Sequence, residues 1–153
     1  MIDLKKLIKN IAIPNILGFL GSILGGVKKG FNNIIKPSFT PPGIVFPIAW
    51  TILYILMGIS AYMIETSDDV RKDKALTIYY IQLILNASWT IFFFKLKWFL
   101  FSTVLVLIIF GLTIYMIIEF YKIKKAAAYL NIPYALWLIF AGILSYNVYM
   151  LNI

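Results

Sequence analysis

The chain has 153 residues, 62% of them apolar and 17% aromatic, with only 13% charged and a formal net charge of +8. A composition this apolar excludes a water-soluble domain, because it leaves too little polar surface to face water. Cysteine and histidine do not occur, which removes disulfides, thiolate chemistry and the usual ligands for zinc, copper or haem iron, so neither a metal site nor a cofactor is expected.

Five segments are apolar for close to the ~20 residues that a helix needs to cross a hydrocarbon core. They predict one all-α membrane domain spanning residues 1–153, with helices over about 8–27, 44–64, 75–94, 99–121 and 126–150. The first span carries Pro14 and four glycines, and Lys5, Lys6 and Lys9 ahead of it imitate the basic start of a secretory signal. No small-x-small cleavage site stands out at residues 25–30, so this segment is expected to remain as a helix whose Gly21 and Gly25 form a GxxxG contact. Residues 28–43 then form a loop in which Pro37, Pro41 and Pro42 lack backbone donors and hold the chain extended. Such a stiffened loop predicts a lid over the mouth of the bundle.

The second helix places Pro47, Trp50, Tyr54 and Gly58 on one face, and the third does the same with Tyr79, Gln82, Asn86, Trp89 and Phe93. In the fifth, Tyr134, Trp137, Ala141, Ser145 and Val148 line up likewise, with Ala141 and Ser145 as a small-xxx-small pair. Trp89 and Trp98 flank Lys95 and Lys97, and are read as interfacial anchors, while Gln82 and Asn86 suit either interhelical hydrogen bonding or a binding site. Three stripes that mix flat aromatics with hydrogen-bonding groups describe a largely apolar pocket with a few orienting polar groups. Planar ligands suit indole faces.

The loops divide the charge unequally. Lys5, Lys6, Lys9, Arg71, Lys72, Lys74, Lys122, Lys124 and Lys125 fall on one side, and Lys28, Lys29, Lys36, Lys95 and Lys97 on the other. The larger group predicts a cytoplasmic N-terminus. All six acids, Asp3, Glu65, Asp68, Asp69, Asp73 and Glu119, also lie on that side, leaving the lid face purely basic and attractive to anions. Lysines spread through loops in this way indicate topology rather than nucleic-acid binding.

Three runs carry a family resemblance. The first is Lys36-Pro37-Ser38-Phe39-Thr40-Pro41-Pro42-Gly43, followed by Val45-Phe46 and Trp50-Thr51-Ile52-Leu53-Tyr54 through Gly58. The second is Gln82-Leu83-Ile84-Leu85-Asn86-Ala87-Ser88-Trp89 with Phe92-Phe93, and the third is Pro133-Tyr134-Ala135-Leu136-Trp137 with Phe140-Ala141, ending near Leu151-Asn152. In this order the chain resembles the TspO/MBR family, the tryptophan-rich sensory proteins related to the translocator protein or peripheral benzodiazepine receptor.

The resemblance implies a five-helix bundle of the bacterial cell membrane, often a homodimer, that binds porphyrins such as protoporphyrin IX and similar flat hydrophobic molecules. Carried over by position, Trp50, Asn86, Trp137 and Ala141 are expected in the pocket, with Tyr54 and Phe46 beside them and Gln82, Leu144 and Ser145 completing the lining. Phe31, Lys36, Pro37, Phe39, Pro41 and Pro42 are expected in the lid. Two positions depart from the family pattern: Gly30-Phe31 replaces a Trp-Tyr pair in the lid, and Leu144-Ser145 replaces Leu-Asn. The expected mechanism lays a tetrapyrrole against Trp50 or Trp137, with Asn86 and Gln82 on its polar edge and Lys28, Lys29 or Lys36 meeting its carboxylates. Transport, sensing and photo-oxidative degradation of the tetrapyrrole all remain open, as does a transporter or scaffold role without porphyrin. Acid–base or nucleophilic catalysis is not expected, since every carboxylate falls in a loop or at a span end, so turnover would at most be light-dependent. Coupled carriers usually hold ionisable groups within their spans, and no such group lies inside these.

Overall fold

A computed structural model describes residues 1–153 and contains seven α-helices and one π-helical turn. They are α1 (Leu4–Gly25), α2 (Val27–Asn32), α3 (Val45–Glu65), α4 (Lys72–Thr90) continued by the π turn Ile91–Lys95, α5 (Phe99–Ile123), α6 (Lys125–Tyr129) and α7 (Ile132–Leu151). Five helical stretches are long and apolar enough to cross a membrane: α1, α3, α4 with its π turn, α5, and α6 with α7. Backbone amides with no water to bond must pair within each segment, which is why such sequences become helices.

The element bounds differ from the sequence expectation at three places, each for a local reason. Helix α1 starts four residues early because Asp3 caps it, accepting a hydrogen bond from the Lys6 amide at 3.2 Å. It ends at Gly26, whose φ of 62° is left-handed and open to glycine, so the lid begins with the short helix α2 rather than with loop. The fifth span is broken between α6 and α7, because Pro133 has no N–H for the preceding turn and favours a fresh helix start. The π turn had no expectation. Its wide hydrogen bonds, including Leu96 N–H to Ile91 O at 3.0 Å, lead into Lys97 at a φ of 56°.

Close backbone approaches build one wall of the bundle. Helix α1 packs against α3 and α4, and α5 against α4, α6 and α7. A Cβ on Gly21 would lie 2.4 Å from the Ala87 carbonyl oxygen, and one on Gly58 would lie 2.5 Å from that of Asn10. Pro14 cannot donate to Asn10, so the carbonyl that Gly58 abuts is one the helix itself leaves free. The Thr90 hydroxyl donates to Gly21 O at 2.6 Å and joins α4 to α1. The GxxxG pair therefore abuts the C-terminal turn of α4, Gly21 at Ala87 and Gly25 at Thr90.

The end of the bundle that holds the N-terminus carries the ion pairs. Lys9 meets Glu65 at 2.7 Å, Lys122 meets Glu119 at 2.9 Å, and Arg71 meets Asp69 at 2.6 Å. Side-chain and backbone hydrogen bonds from Arg71 hold the Asp69 carboxyl well down, at about 2. Further in, Ser60 donates to Ala127 O at 2.9 Å and accepts from Asn131 at 2.6 Å, closing α3 onto α6 among Ala61, Ala75, Ala127 and Ala128, all fully buried.

Gly21→Ala puts a methyl group into the Ala87 carbonyl and is expected to destabilise the bundle by about 1–3 kcal/mol. At Gly111 a Cβ meets nothing within 4 Å. Gly111→Ala is therefore expected to be neutral or stabilising by up to ~1 kcal/mol. Thermal unfolding in detergent checks the pair, and equal midpoints for the two variants contradict the close α1–α4 contact.

Candidate functional site

At the opposite end from the ion pairs the helices spread around a cavity of about 700 Å³. Its floor is a chain of buried polar side chains contributed by three helices. The Tyr54 hydroxyl donates to Asn86 Oδ1 at 2.9 Å, Asn86 Nδ2 donates to the Tyr134 hydroxyl at 2.7 Å, and that hydroxyl donates to Gln82 Oε1 at 2.7 Å. Such groups in a dry interior must find partners, and here they find each other, apart from Gln82 Nε2, which is buried without an acceptor. Gly18 makes room for Tyr54, since a Cβ there would lie 2.3 Å from the tyrosine ring.

Above this floor the walls are aromatic. Trp50 stacks on Tyr54 with centroids 5.3 Å apart, and its plane is at 87° to that of Trp137, 6.3 Å away. Phe46 and Phe140 meet Trp137 at 6.0 and 5.2 Å. Across the cavity Trp89 stacks on Phe93 at 4.5 Å and donates its Nε1–H to Ser102 O at 3.0 Å. Trp137 Nε1 is covered and has no acceptor. Because the two indoles on α3 and α7 stand perpendicular, a flat molecule can stack on one and must meet the other by its edge.

The roof is α2 with the proline loop. Lys36 donates to Phe31 O at 2.6 Å and Ile34 O at 3.3 Å, with its ammonium 4.6 Å above the Phe31 ring. Asn152, at the end of α7, accepts from the Ile35 amide at 3.1 Å and donates to the Ile35 carbonyl at 2.9 Å. Thr40 bonds back to Pro37 O through both its amide and its hydroxyl. On the underside, Gly30 lies against Phe94 of the π turn, where a Cβ would come within 2.8 Å.

Ten of the expected site residues border the cavity together: Phe31, Lys36, Phe46, Trp50, Tyr54, Asn86, Trp137, Ala141, Leu144 and Ser145. Five do not. Gln82 is fully buried one turn below Asn86, at the far end of the floor's hydrogen-bond chain, and does not border the cavity. Pro37, Phe39, Pro41 and Pro42 shape the loop from outside the cavity, and Phe39 instead packs against Phe140 at 6.5 Å. Two expected roles also change, since both polar ends of Asn86 are occupied by tyrosines and the Lys36 ammonium fastens its own loop. Of Lys28, Lys29 and Lys36, only exposed Lys28 borders the cavity with an ammonium not tied to the lid. Ser145 bonds Thr103 of α5 at 2.9 Å.

Trp89 corrects the anchor reading: it faces inward, half-buried and hydrogen-bonded, whereas Trp98 is exposed at 53%. The third-helix stripe already placed Trp89 with Asn86 and Phe93, and nearby lysines misdirected the assignment. Helix α1 was missed as a wall. Asn15, Gly18, Phe19 and Ser22 line the cavity, and the glycine spacing in α1 was the available signal.

An all-helical integral membrane protein with an aromatic cavity under a proline-stiffened lid is the class that fold and site define. The chain belongs to the TspO/MBR family, which it matches over residues 10–151. It is 33% identical over 152 residues to the tryptophan-rich protein TspO of Archaeoglobus fulgidus, covering 98% of this chain and 99% of that one. It is 31% identical to the tryptophan-rich sensory protein of Cereibacter sphaeroides, covering 80% and 76%, and 32% identical to the translocator protein of Sus scrofa, covering 92% and 86%.

Asn86→Leu removes the acceptor of the Tyr54 hydroxyl and is expected to destabilise the protein by roughly 1–3 kcal/mol. Adding Tyr54→Phe removes the stranded hydroxyl and recovers part of the loss. Thermal midpoints of the two singles and the double form the cycle that measures this coupling.

Proposed function

We propose that this protein is a membrane receptor for protoporphyrin IX and similar flat hydrophobic ligands. One observation carries the reading: a cavity of about 700 Å³ with Trp50 and Trp137 as adjoining walls. That volume falls in the range of small-molecule sites, roughly 300–1,000 Å³, which are mostly apolar and hold few polar groups. Relatives named as a sensory protein and as a translocator protein support a role in sensing or reception. The bound ring stacks on one indole and meets the other by its own edge. Its carboxylates point to the basic face, where Lys28 borders the cavity. The polar floor stays intact, since Asn86 already has both its partners. Nine basic residues at the ion-paired end against five on the lid side support a cytoplasmic N-terminus and a cavity toward the opposite face.

Titration of purified protein with protoporphyrin IX, read by quenching of tryptophan fluorescence, tests the site. Trp50→Phe and Trp137→Phe are each expected to weaken binding by roughly twofold to tenfold, as the loss of about 0.5–1.5 kcal/mol of aromatic contact requires. Unaltered affinity in both and in the double variant removes the stacking claim. Lys28→Gln is expected to weaken the diacid by up to about fivefold, since an exposed charge pair is worth about 0–1 kcal/mol. The dimethyl ester of the same porphyrin should bind both forms equally.

A further inference from the structure

Both α3 and α7 line the cavity, yet their backbones scarcely approach each other, in contrast to the other neighbouring spans. The two helices of this seam are hydrogen-bonded to each other's neighbourhood only below the cavity, where Ser60 of α3 meets Ala127 of α6 and Asn131 at the start of α7, and where Asn86 of α4 links Tyr54 to Tyr134. Toward the cavity they diverge, and side chains alone fill the gap. On the lipid side of the seam lies a second, shallower recess of about 420 Å³, formed by Ala49 and Ile52 of α3 and Pro133 and Leu136 at the start of α7. Trp137 and Phe140 border this recess and the inner cavity alike, so they are the partition between the two.

The partition is loosely held. Trp89 is pinned by its Nε1–H bond to Ser102 O, but the Trp137 indole N–H has no acceptor. Edge contacts to Phe46 and Trp50 and a tilted contact to Phe140 fix its ring, and these can be exchanged for contacts with an entering molecule. Turning Trp137 aside breaks no hydrogen bond. Lifting the lid, in contrast, breaks the two bonds between Asn152 and Ile35 that join it to α7. An apolar ligand is also concentrated in the bilayer rather than in water. The recess opens there, between Ile52 and Leu136, both more than half exposed on the outer surface.

We infer that the cavity exchanges its ligand sideways with the bilayer through the seam between α3 and α7, with Trp137 as the gate. This rests on the receptor reading above and adds the route by which a flat hydrophobic ligand arrives. The lipid side of the seam, where Ala49 and Leu136 border only the outer recess, lies on the path and not in the bound state, so obstructing it slows entry and exit together and leaves equilibrium affinity nearly unchanged.

The cysteine-free chain makes the test clean. Ala49→Cys and Leu136→Cys, joined in detergent by a bis-maleimide with a reducible spacer, staple the seam from its lipid side before reconstitution into bilayer nanodiscs. Stopped-flow quenching with protoporphyrin IX is expected to show association and dissociation each slowed by roughly tenfold or more, with Kd within about threefold, which corresponds to a barrier raised by at least ~1.4 kcal/mol. Reducing the spacer in the same sample restores both rates. Ala49→Trp, which fills the recess without any cross-link, is expected to slow exchange in the same sense. Uptake by the stapled protein at the unmodified rate overturns the portal while leaving the receptor reading intact. Absence of quenching in the unmodified protein overturns the receptor reading and the portal with it.

Discussion

Hydrocarbon offers no partner for a polar group, and this constraint organises the molecule around Tyr54, Asn86, Tyr134 and Gln82. Their hydrogen bonds tie α3, α4 and α7 together at one level of the bundle. An unpaired member would cost about 1–3 kcal/mol, so the three helices are held in a fixed relative rotation. That rotation decides what faces inward on the next turn. From Tyr54 it brings in Trp50, from Asn86 it brings in Trp89, and from Tyr134 it brings in Trp137. The polar chain both seals the cavity floor and selects its walls.

Residue size then divides the bundle into two halves. Below the floor, Gly58, Ser60, Ala61, Ala75, Ala127 and Ala128 let the backbones approach, and packing is dense. Above it, bulky rings replace small residues on α3, α4 and α7, and rings at steep mutual angles cannot close the space between helices whose lower ends are pinned together. The cavity is a geometric result of that contrast. It persists because the lid is fastened by its own Lys36 and by Asn152, without needing a molecule beneath it.

Much of this was legible in the sequence, and the gaps have physical causes. The stripe Trp50–Tyr54–Gly58 and its counterparts on α4 and α7 follow from helical period alone, and each does face the interior. Period fixes a face but not a depth, which is why Gln82 could not be told from Asn86, although the two sit on opposite sides of the Tyr134 hydroxyl. Proximity to Lys95 and Lys97 suggested a wet interface for Trp89. The π turn after Thr90 widens the helix there and turns the aromatic run Phe92–Phe94 and its neighbours differently from an ideal α-helix. No residue pattern announces such a turn. Lid residues were named from a stiff, proline-rich run, but stiffness acts on the backbone, so prolines could shape the roof while Phe31 and Ile34 supplied its inner surface.

The charge distribution completes the logic of the site. Every acid lies at the far end, where Glu65, Asp69 and Glu119 neutralise neighbouring cations. The five lysines near the cavity have no carboxylate among them, and their mutual repulsion is tolerable because all but Lys36 stand exposed in the high-dielectric headgroup region. Lys36 is the exception that holds the roof, folded onto carbonyls and a phenyl ring. The remaining four give the rim a positive potential without placing a charge inside the cavity. The proposed ligand, with a flat apolar body and anionic groups at one edge, matches both the aromatic walls and the basic rim in a single orientation.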